Sequence, residues 1–411
     1  MAPRSPSQRG ASAIRQANLR EHNLGLVLRI IVDAGTPPSR ADIAATTGLT
    51  RATVSSLVDA LIAAGLVTEL PPVLSQRAGR PAVPLVPASG TLAAVGMEVN
   101  VDYLGVRLID LSGSVLGQEV RDGDFRGSDP ADVIPELVDL YRKVTRTVDR
   151  DVRIAGAGLA IPGLVDRTAG PVRLAPNLGW RDVDIAALFR TELTTATGFT
   201  QGAEPAMLVD NEATLAARAE ADALRSRGLH TFLYLSGEVG IGGALVLDGS
   251  VFAGRHGWSG EIGHTVIDPD GPRCRCGATG CLEQYAGKDA LMRAAGLDQA
   301  LPVDHLQRAA AAGDATAVAA FEMGARALGT AIANAVNLVD VENVVLGGLY
   351  AALAEQLVPG IEAVLADRVL SAPWSNMRVR AAVVRDAAAM TGAASAVLGQ
   401  VIDNPSEWMR R

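Results

Sequence analysis

No apolar run in this 411-residue chain reaches bilayer-spanning length, and Met1 to Arg20 is polar and basic without a hydrophobic core. These absences argue against a membrane protein and a secreted one, and the expected location is the cytoplasm, where thiols stay reduced. Cysteine is scarce: there are three, an odd number that leaves no complete disulfide set. Lysine is missing from the first ninety residues, so every fixed cation there is an arginine. With 48% apolar and 20% charged residues, the composition is not that of a disordered chain. The length allows two or three domains around a large core.

The three cysteines that are present sit close together, Cys274-Arg-Cys276-Gly-Ala-Thr-Gly-Cys281, and His264 precedes them by ten residues. Three thiolates and one imidazole complete the tetrahedral shell of a structural Zn²⁺. Cys-x-Cys is too short to bridge easily, which disfavours a disulfide. The other reading is a set of inert buried thiols. The expected metal ligands are His264, Cys274, Cys276 and Cys281, and the expected cofactor is zinc.

Charge is unevenly distributed. Residues 1–90 hold nine Arg against five acids, a surplus of four cations in a chain of net charge −8. A cationic front end on an acidic body suits a polyanion partner for the front alone. Within that front, Leu24, Val27, Leu28, Ile31 and Val32 recur at helical spacing. Ser39 is a good N-cap for Arg40-Ala-Asp-Ile-Ala-Ala-Thr46, Gly48 supplies a turn, and Thr50 caps a further helix to about Ala64. Val54, Leu57, Val58, Leu61 and Ile62 form its inward stripe, leaving Arg51, Thr53, Ser55 and Ser56 outward. This is the pattern of a helix-turn-helix, whose second helix enters the DNA major groove. Gly65 to Glu69 reads as a strand and Ser75 to Pro81 as a basic return strand, together a wing. Expected DNA contacts are Arg40, Thr50, Arg51, Thr53, Ser55, Ser56, Arg77 and Arg80. A helical protein-interaction module is the alternative. Residues 1–15 read as a disordered tail, 16–88 as the winged unit with its linker, and Pro81 to Gly90 as the connector.

Beyond Thr91, strand-like and helix-like stretches alternate, the signature of an α/β body over 89–405. Strands near 93–98, 104–110 and 114–120 form a meander, and a similar order recurs at 231–236, 241–247 and 250–252. A duplicated lobe follows, one lobe about 91–210 with the C-terminal helix and the other about 211–385, with a cleft between them for a small ligand. The Ala387–Val401 stretch is a helix that packs on the first lobe or lines a dimer contact.

The run Gly260-Glu261-Ile-Gly263-His264 … Cys274-x-Cys276-Gly-x-x-Gly280-Cys281-Leu-Glu283 resembles the signature of the ROK family (repressors, open reading frames and sugar kinases). Gly79-Arg-Pro-Ala82, Pro162-Gly163, Pro176-Asn177 with Trp180, and Leu346-Gly-Gly348 extend the resemblance over essentially the whole chain. It implies a two-lobed actin-like, hexokinase-like (ribonuclease H-like) ATPase fold behind the winged helix-turn-helix, with a sugar in the cleft. It also implies sugar contacts from Asn177, Asn211, Glu212, Glu261, His264 and Glu283, with one ring nitrogen of His264 on zinc and the other facing the sugar.

The family divides into sugar kinases and sugar-responsive transcription factors. Its kinases carry an Asp-x-Gly-Gly-Thr phosphate loop, where bare backbone approaches phosphate. Here the matching stretch is Glu98-Val-Asn100-Val101-Asp102, without either glycine. Gly237-Glu238-Val239-Gly240 replaces a Gly-Thr-Gly run, and Asn211-Glu212-Ala-Thr214 stands for Asn-Asp-x-Asn, moving the base carboxylate by about an ångström. No catalytic residue is expected, and the expectation is a sugar-responsive DNA-binding regulator of carbohydrate genes, a repressor first. Its partners are operator DNA, a monosaccharide such as xylose or glucose, and a second copy in a dimer or tetramer, with no membrane. A sugar kinase with an added DNA-binding unit is the alternative. The sugar contacts include no Arg or Lys, which disfavours a phosphorylated ligand.

Overall fold

The computed structural model describes residues 16–72, 82–166, 170–197 and 206–409. The chain divides into two units, Met1–Ala88 with Gly399–Arg411, and Ser89–Leu398. The expected tail, residues 1–15, lies outside the described residues. No helix among the described residues is long and apolar enough to cross a membrane.

The first unit begins with α1 (Gln16–Val32), which buries Leu24, Val27, Leu28 and Ile31. In α2 (Arg40–Thr47) the Ser39 side chain accepts from the Asp42 N–H while the Asp42 carboxylate accepts from the Ser39 N–H at 2.9 Å. This reciprocal capping box satisfies two of the donors that a helix start leaves free. Gly48 ends α2 with φ +71°, a left-handed turn that costs glycine little. Thr50 then caps α3 (Arg51–Ala63), its Oγ1 accepting from the Thr53 N–H at 3.1 Å. Val54, Leu57, Val58 and Leu61 are buried, while Ile62 is half-buried.

The wing differs from expectation. β1 (Val67–Glu69) pairs antiparallel with β2 (Leu85–Pro87), within the stretch read as connector. Residues 73–81, which include the whole expected return strand with Arg77 and Arg80, lie outside the described residues. Leu85 anchors β2, its side chain fully buried. The end of the chain joins this unit, so the body stops before the expected residue 405. Arg29 forms an ion pair with Asp403, and the Ser406 N–H donates to Glu21 at 3.2 Å.

The second unit contains two five-stranded sheets of matching topology. In the first, β3 (Leu92–Val99), β4 (Tyr103–Asp110) and β5 (Val115–Asp122) form an antiparallel meander, with α4 (Pro130–Arg146) packed against it. β6 (Arg153–Ile161) adds parallel to β3. A small sheet follows, made of β7 (Leu164–Val165), β8 (Val172–Ala175) and β9 (Trp180–Val183). After α5 (Ile185–Thr197), β10 (Ala206–Asn211) joins parallel to β6, and α6 (Glu212–Arg225) leads out of it.

The second sheet repeats the plan. β11 (Phe232–Gly237), β12 (Ile241–Leu247) and β13 (Ser250–Val251) form the meander. Next come α7 (Glu283–Ala286), α8 (Lys288–Ala294), α9 (Asp304–Ala311) and the long α10 (Ala315–Val339). β14 (Asn343–Gly348) is parallel to β11, and β15 (Arg378–Ala381) to β14, with α11 (Leu349–Ala352) and α12 (Ala354–Arg368) between them. The two orders, β5-β4-β3-β6-β10 and β13-β12-β11-β14-β15, match position by position, as the recurring strand pattern implied.

α13 (Ala388–Asp403) and α14 (Ser406–Met409) close the chain. Of the two places expected for this helix, α13 takes the first lobe. Arg107 of β4 donates to Thr391 Oγ1 at 2.7 Å. A Cβ on Gly96 or Gly158 would lie 1.8 Å from the Met390 carbonyl oxygen or 2.4 Å from that of Ala393. Those two glycines let a helix backbone lie directly on the sheet.

Candidate functional site

The cysteine segment folds as a tight hairpin. Arg273 bridges Thr279 and Val266 bridges Cys281, and the Cys274 N–H donates to the Ala278 carbonyl at 2.9 Å. A short 3₁₀ turn, Ile262–His264, brings the imidazole in from the other side. The ligand atoms of His264, Cys274, Cys276 and Cys281 all lie within 4.8 Å of one another, so the cluster could hold a metal ion. Cys274 Sγ stands 3.9 Å from His264 Nδ1, and Cys276 Sγ stands 3.7 Å from Cys281 Sγ, with all three thiols free. Without a cation, burial and the neighbouring thiols push the Cys281 thiol up to about 12. Three thiolates there need a positive charge among them.

His264 also borders a cleft, which the structure lines with all six residues expected to contact sugar: Asn177, Asn211, Glu212, Glu261, His264 and Glu283. The cleft is narrow and partly open to solvent, with a cavity volume of about 40 Å³. A Cβ on Gly240 would sit 2.7 Å from Glu283 Oε2 and 3.1 Å from Asn177 Nδ2, which shows how closely the β11–β12 turn approaches both.

The six side chains are not equally free. Asn211 caps α6: its Oδ1 accepts from the Ala213 and Thr214 N–H groups at 2.9 and 3.1 Å. Its Nδ2 donates to the Gly163 carbonyl and to Glu212 Oε2 at 3.1 and 2.9 Å. That amide positions Glu212 and the Pro162-Gly163 wall. Asn177 Oδ1 accepts from Arg275, which stands between two of the cysteines and which the sequence reading did not single out. Burial raises the Glu261 and Glu283 carboxyls, and His264 pulls both back toward the charged form. Glu212 is held well above the usual carboxylate range by burial, with Glu261, Glu98 and Glu238 adding to the shift.

Beyond Glu212 lies a second acidic group that sequence reasoning treated only as lost phosphate loops. Glu98 is buried on β3 and accepts from Asn100 Nδ2 at 3.3 Å. Asp102 is held by Lys288 at 3.2 Å and by Arg126 at 3.0 Å, an ion-pair link between the β3–β4 turn and the start of α8. Desolvation pushes Glu238 up to about 8, and the Glu98 and Asp102 charges act in the same direction. Among the described residues lining the cleft there is no Lys or Arg.

In the first unit, Thr50, Arg51 and Ser56 are exposed at the start of α3, with Thr53 and Ser55 half-buried beside them. Arg40 is placed differently. Its guanidinium bonds to Asp59 of α3 at 2.6 Å and also to Glu69 of β1, tying three elements together.

The sequence pattern of the ROK family matches residues 94–400, and that of the MarR family matches residues 25–78. The chain is 28% identical over 404 residues to the xylose repressor of Caldicellulosiruptor bescii, covering 94% of this chain and 98% of that one. A crystal structure of a ROK family transcriptional regulator, a homologue of the Escherichia coli MLC protein, is 27% identical with a TM-score of 0.75. It covers 96% of this chain and 100% of that one. A ROK hexokinase from Thermus thermophilus is 29% identical with a TM-score of 0.56, but covers 77% of this chain against 98% of its own.

Glu238 gives the acidic group a pH signature. Its folded value of about 8 lies above the ordinary 4.5, so between these limits the folded chain holds a proton that the unfolded chain has released. The group's contribution to stability is full below about 4.5 and is lost as pH rises through about 8. At about 1.4 kcal/mol per pKa unit the change is on the order of a few kcal/mol. Urea unfolding of Glu238→Gln at pH 6 and pH 8 should show a flatter pH dependence than the parent chain. An unchanged slope would take Glu238 out of the buried group.

Proposed function

The chain belongs to the ROK family and carries a MarR-type winged-helix unit, and from that premise we propose a sugar-responsive, DNA-binding transcriptional regulator acting as a repressor. The observation that supports it best is coverage. The regulator relatives match the chain almost end to end, whereas the hexokinase relative matches a stretch about the size of the body. Thr50, Arg51 and Ser56 stand exposed where the second helix of such a motif meets base edges and phosphates. Thr53 and Ser55 complete that surface. Arg77 and Arg80 would supply phosphate contacts from the wing, while Arg40 serves the fold of the unit.

The effector is a monosaccharide in the cleft. Carboxylates and amides in a partly dry site suit vicinal hydroxyls, which both donate and accept. Glu212, Glu261 and Glu283 supply acceptors, Asn177 supplies an amide, and Asn211 holds Glu212 in place. The metal is zinc in a structural role. Tetrahedral ligands about 2.3 Å from an ion stand about 3.8 Å apart, close to the 3.7 and 3.9 Å separations in the cluster. His264, Cys274, Cys276 and Cys281 would hold it through Nδ1 and three sulfurs, leaving His264 Nε2 for a sugar hydroxyl. Four protein ligands leave no open position, so the metal shapes the site without entering chemistry.

Nucleotide chemistry is absent from this proposal. Glu98, Asp102 and Glu238 put carboxylates where a triphosphate would need bare backbone and cations. The sugar works as a switch only if it binds one arrangement of the lobes better than another. Xylose is the first effector to test, because the Caldicellulosiruptor bescii relative is named a xylose repressor.

Three measurements test the parts separately. Arg51→Ala should weaken binding to duplexes selected from a random pool about tenfold, or relax the selected sequence by about 1–3 kcal/mol at one base pair. No change in either would remove Arg51 from the interface. Metal analysis should find one zinc per chain, and Cys276→Ser should lose most of it; full zinc in that variant contradicts the four-ligand site. A thermal-shift screen of monosaccharides should give a stabilising hit. Glu283→Gln should weaken that hit at least tenfold without affecting binding to the selected duplex. Equal affinity would move the sugar elsewhere.

A further inference from the structure

Aromatic side chains are scarce, at 4% of the chain, and most of the described ones are buried or half-buried. Among the described residues only Phe252, Trp258 and Trp374 are exposed, and two of these share one loop, residues 252–260, which leads from β13 to the cleft. His256 on the same loop is exposed as well. Its ring packs on that of Trp258, with centroids 4.9 Å apart and planes tilted by 31°.

The loop holds these rings in place. The Ser259 N–H donates to the Ala253 carbonyl at 3.3 Å and closes the loop. Gly257, between the two rings, has φ +87°, a conformation that favours glycine. Gly260 seats the end of the loop on β12, where an added Cβ would lie 2.1 Å from the Gly243 carbonyl oxygen. The indole itself is pinned: its Nε1–H donates to the Val165 carbonyl at 3.0 Å, across 93 positions of sequence. That bond also locates the ring. Val165 comes just after Pro162-Gly163, Trp258 comes just before Gly260-Glu261, and both of those pairs line the cleft. Trp258 and Val165 are not themselves among its lining residues, so the indole stands at the rim, where the two walls meet.

We infer that the Trp258–His256 pair is a second carbohydrate subsite, which holds the sugar ring next to the one in the cleft. The inference rests on the sugar reading of the cleft and extends it from a monosaccharide to a glycoside of two or more rings. A pyranose carries C–H bonds on its faces and hydroxyls around its edge. The C–H face packs against an aromatic ring, whose own face is partially negative. The edge hydroxyls find partners in the His256 ring nitrogens and in the guanidinium of Arg255, exposed beside it. Ordering costs little on binding, because the stack and the bond to Val165 already restrain the rings. Size selects the occupant. Trp258 is 39% exposed and offers on the order of 100 Å². A stable protein interface takes roughly 800 Å² per partner, whereas a single sugar ring matches the smaller area.

Isothermal titration of the zinc-loaded, full-length protein tests this, with D-xylose against xylobiose and D-glucose against cellobiose and maltose. For at least one pair the disaccharide should bind about tenfold tighter than its own monosaccharide. Trp258→Ala should bind both members of that pair equally and melt with the parent, its side chain being exposed. Trp258→Phe, which keeps a ring, should retain a preference of about threefold. A parent chain for which no disaccharide binds tighter than its monosaccharide overturns the inference, and is the result expected if the rings serve a protein partner. A Trp258→Ala chain that keeps the preference overturns it too. So does one that loses both sugars alike, because the indole would then only fix the cleft walls. None of those results touches the cleft reading, which Glu283→Gln tests apart: it should weaken both sugars together. If that variant binds both as the parent does, the cleft reading falls and the rim subsite with it.

Discussion

Crowding of carboxylates into one cleft is the constraint from which the rest of the body follows. Glu212, Glu261 and Glu283 line it, and Glu98 and Glu238 act on Glu212 from beyond. No lysine or arginine is among its described lining residues. Such a cleft can exist at neutral pH only if some of the carboxyls keep their protons or bond to donors. Desolvation does the first for Glu238 and Glu212, and Asn211 and Asn100 contribute to the second. Under the proposed function, such a set of hydrogen-bonding carboxyls suits the hydroxyls of a neutral polyol.

The His/Cys cluster sets the edge of that cleft. Nδ1 of His264 faces Cys274 while the residue itself borders the space where a ligand would lie. Arg275, between two of the thiols, reaches Asn177 on the far side. A metal held there would therefore fix two cleft residues at once, one through its ring and one through its neighbour. Orientation by an outer partner is how structural metals shape binding sites without taking part in reactions.

Much of this was legible in the sequence, and the legible parts are local. The Ser39 cap, the Thr50 cap and the turn at Gly48 each depend on a few adjacent residues, and each stands where expected, with Asp42 closing a capping box on Ser39 that was not expected. The repeated meander was visible because strand periodicity is local as well, and the His/Cys cluster was visible as spacing. What escaped depends on partners distant in sequence. β2 forms at Leu85 because burial against the helices rewards it there, and nothing near Arg77 announces this. Arg40 is engaged by Asp59 and Glu69, and the last residues of the chain by Glu21 and Arg29. Asn211 was readable in part: an asparagine directly before Glu-Ala-Thr-Leu-Ala-Ala is a strong N-cap signal, and the cap occupies its carbonyl.

Offering the zinc-loaded protein ATP, Mg²⁺ and a panel of hexoses and pentoses, and following ADP release, probes the central claim most directly. No release above the sugar-free background is expected for any member of the panel. Sugar-dependent turnover near one per second, within the range of ordinary enzymes at about 1–10³ s⁻¹, would contradict it.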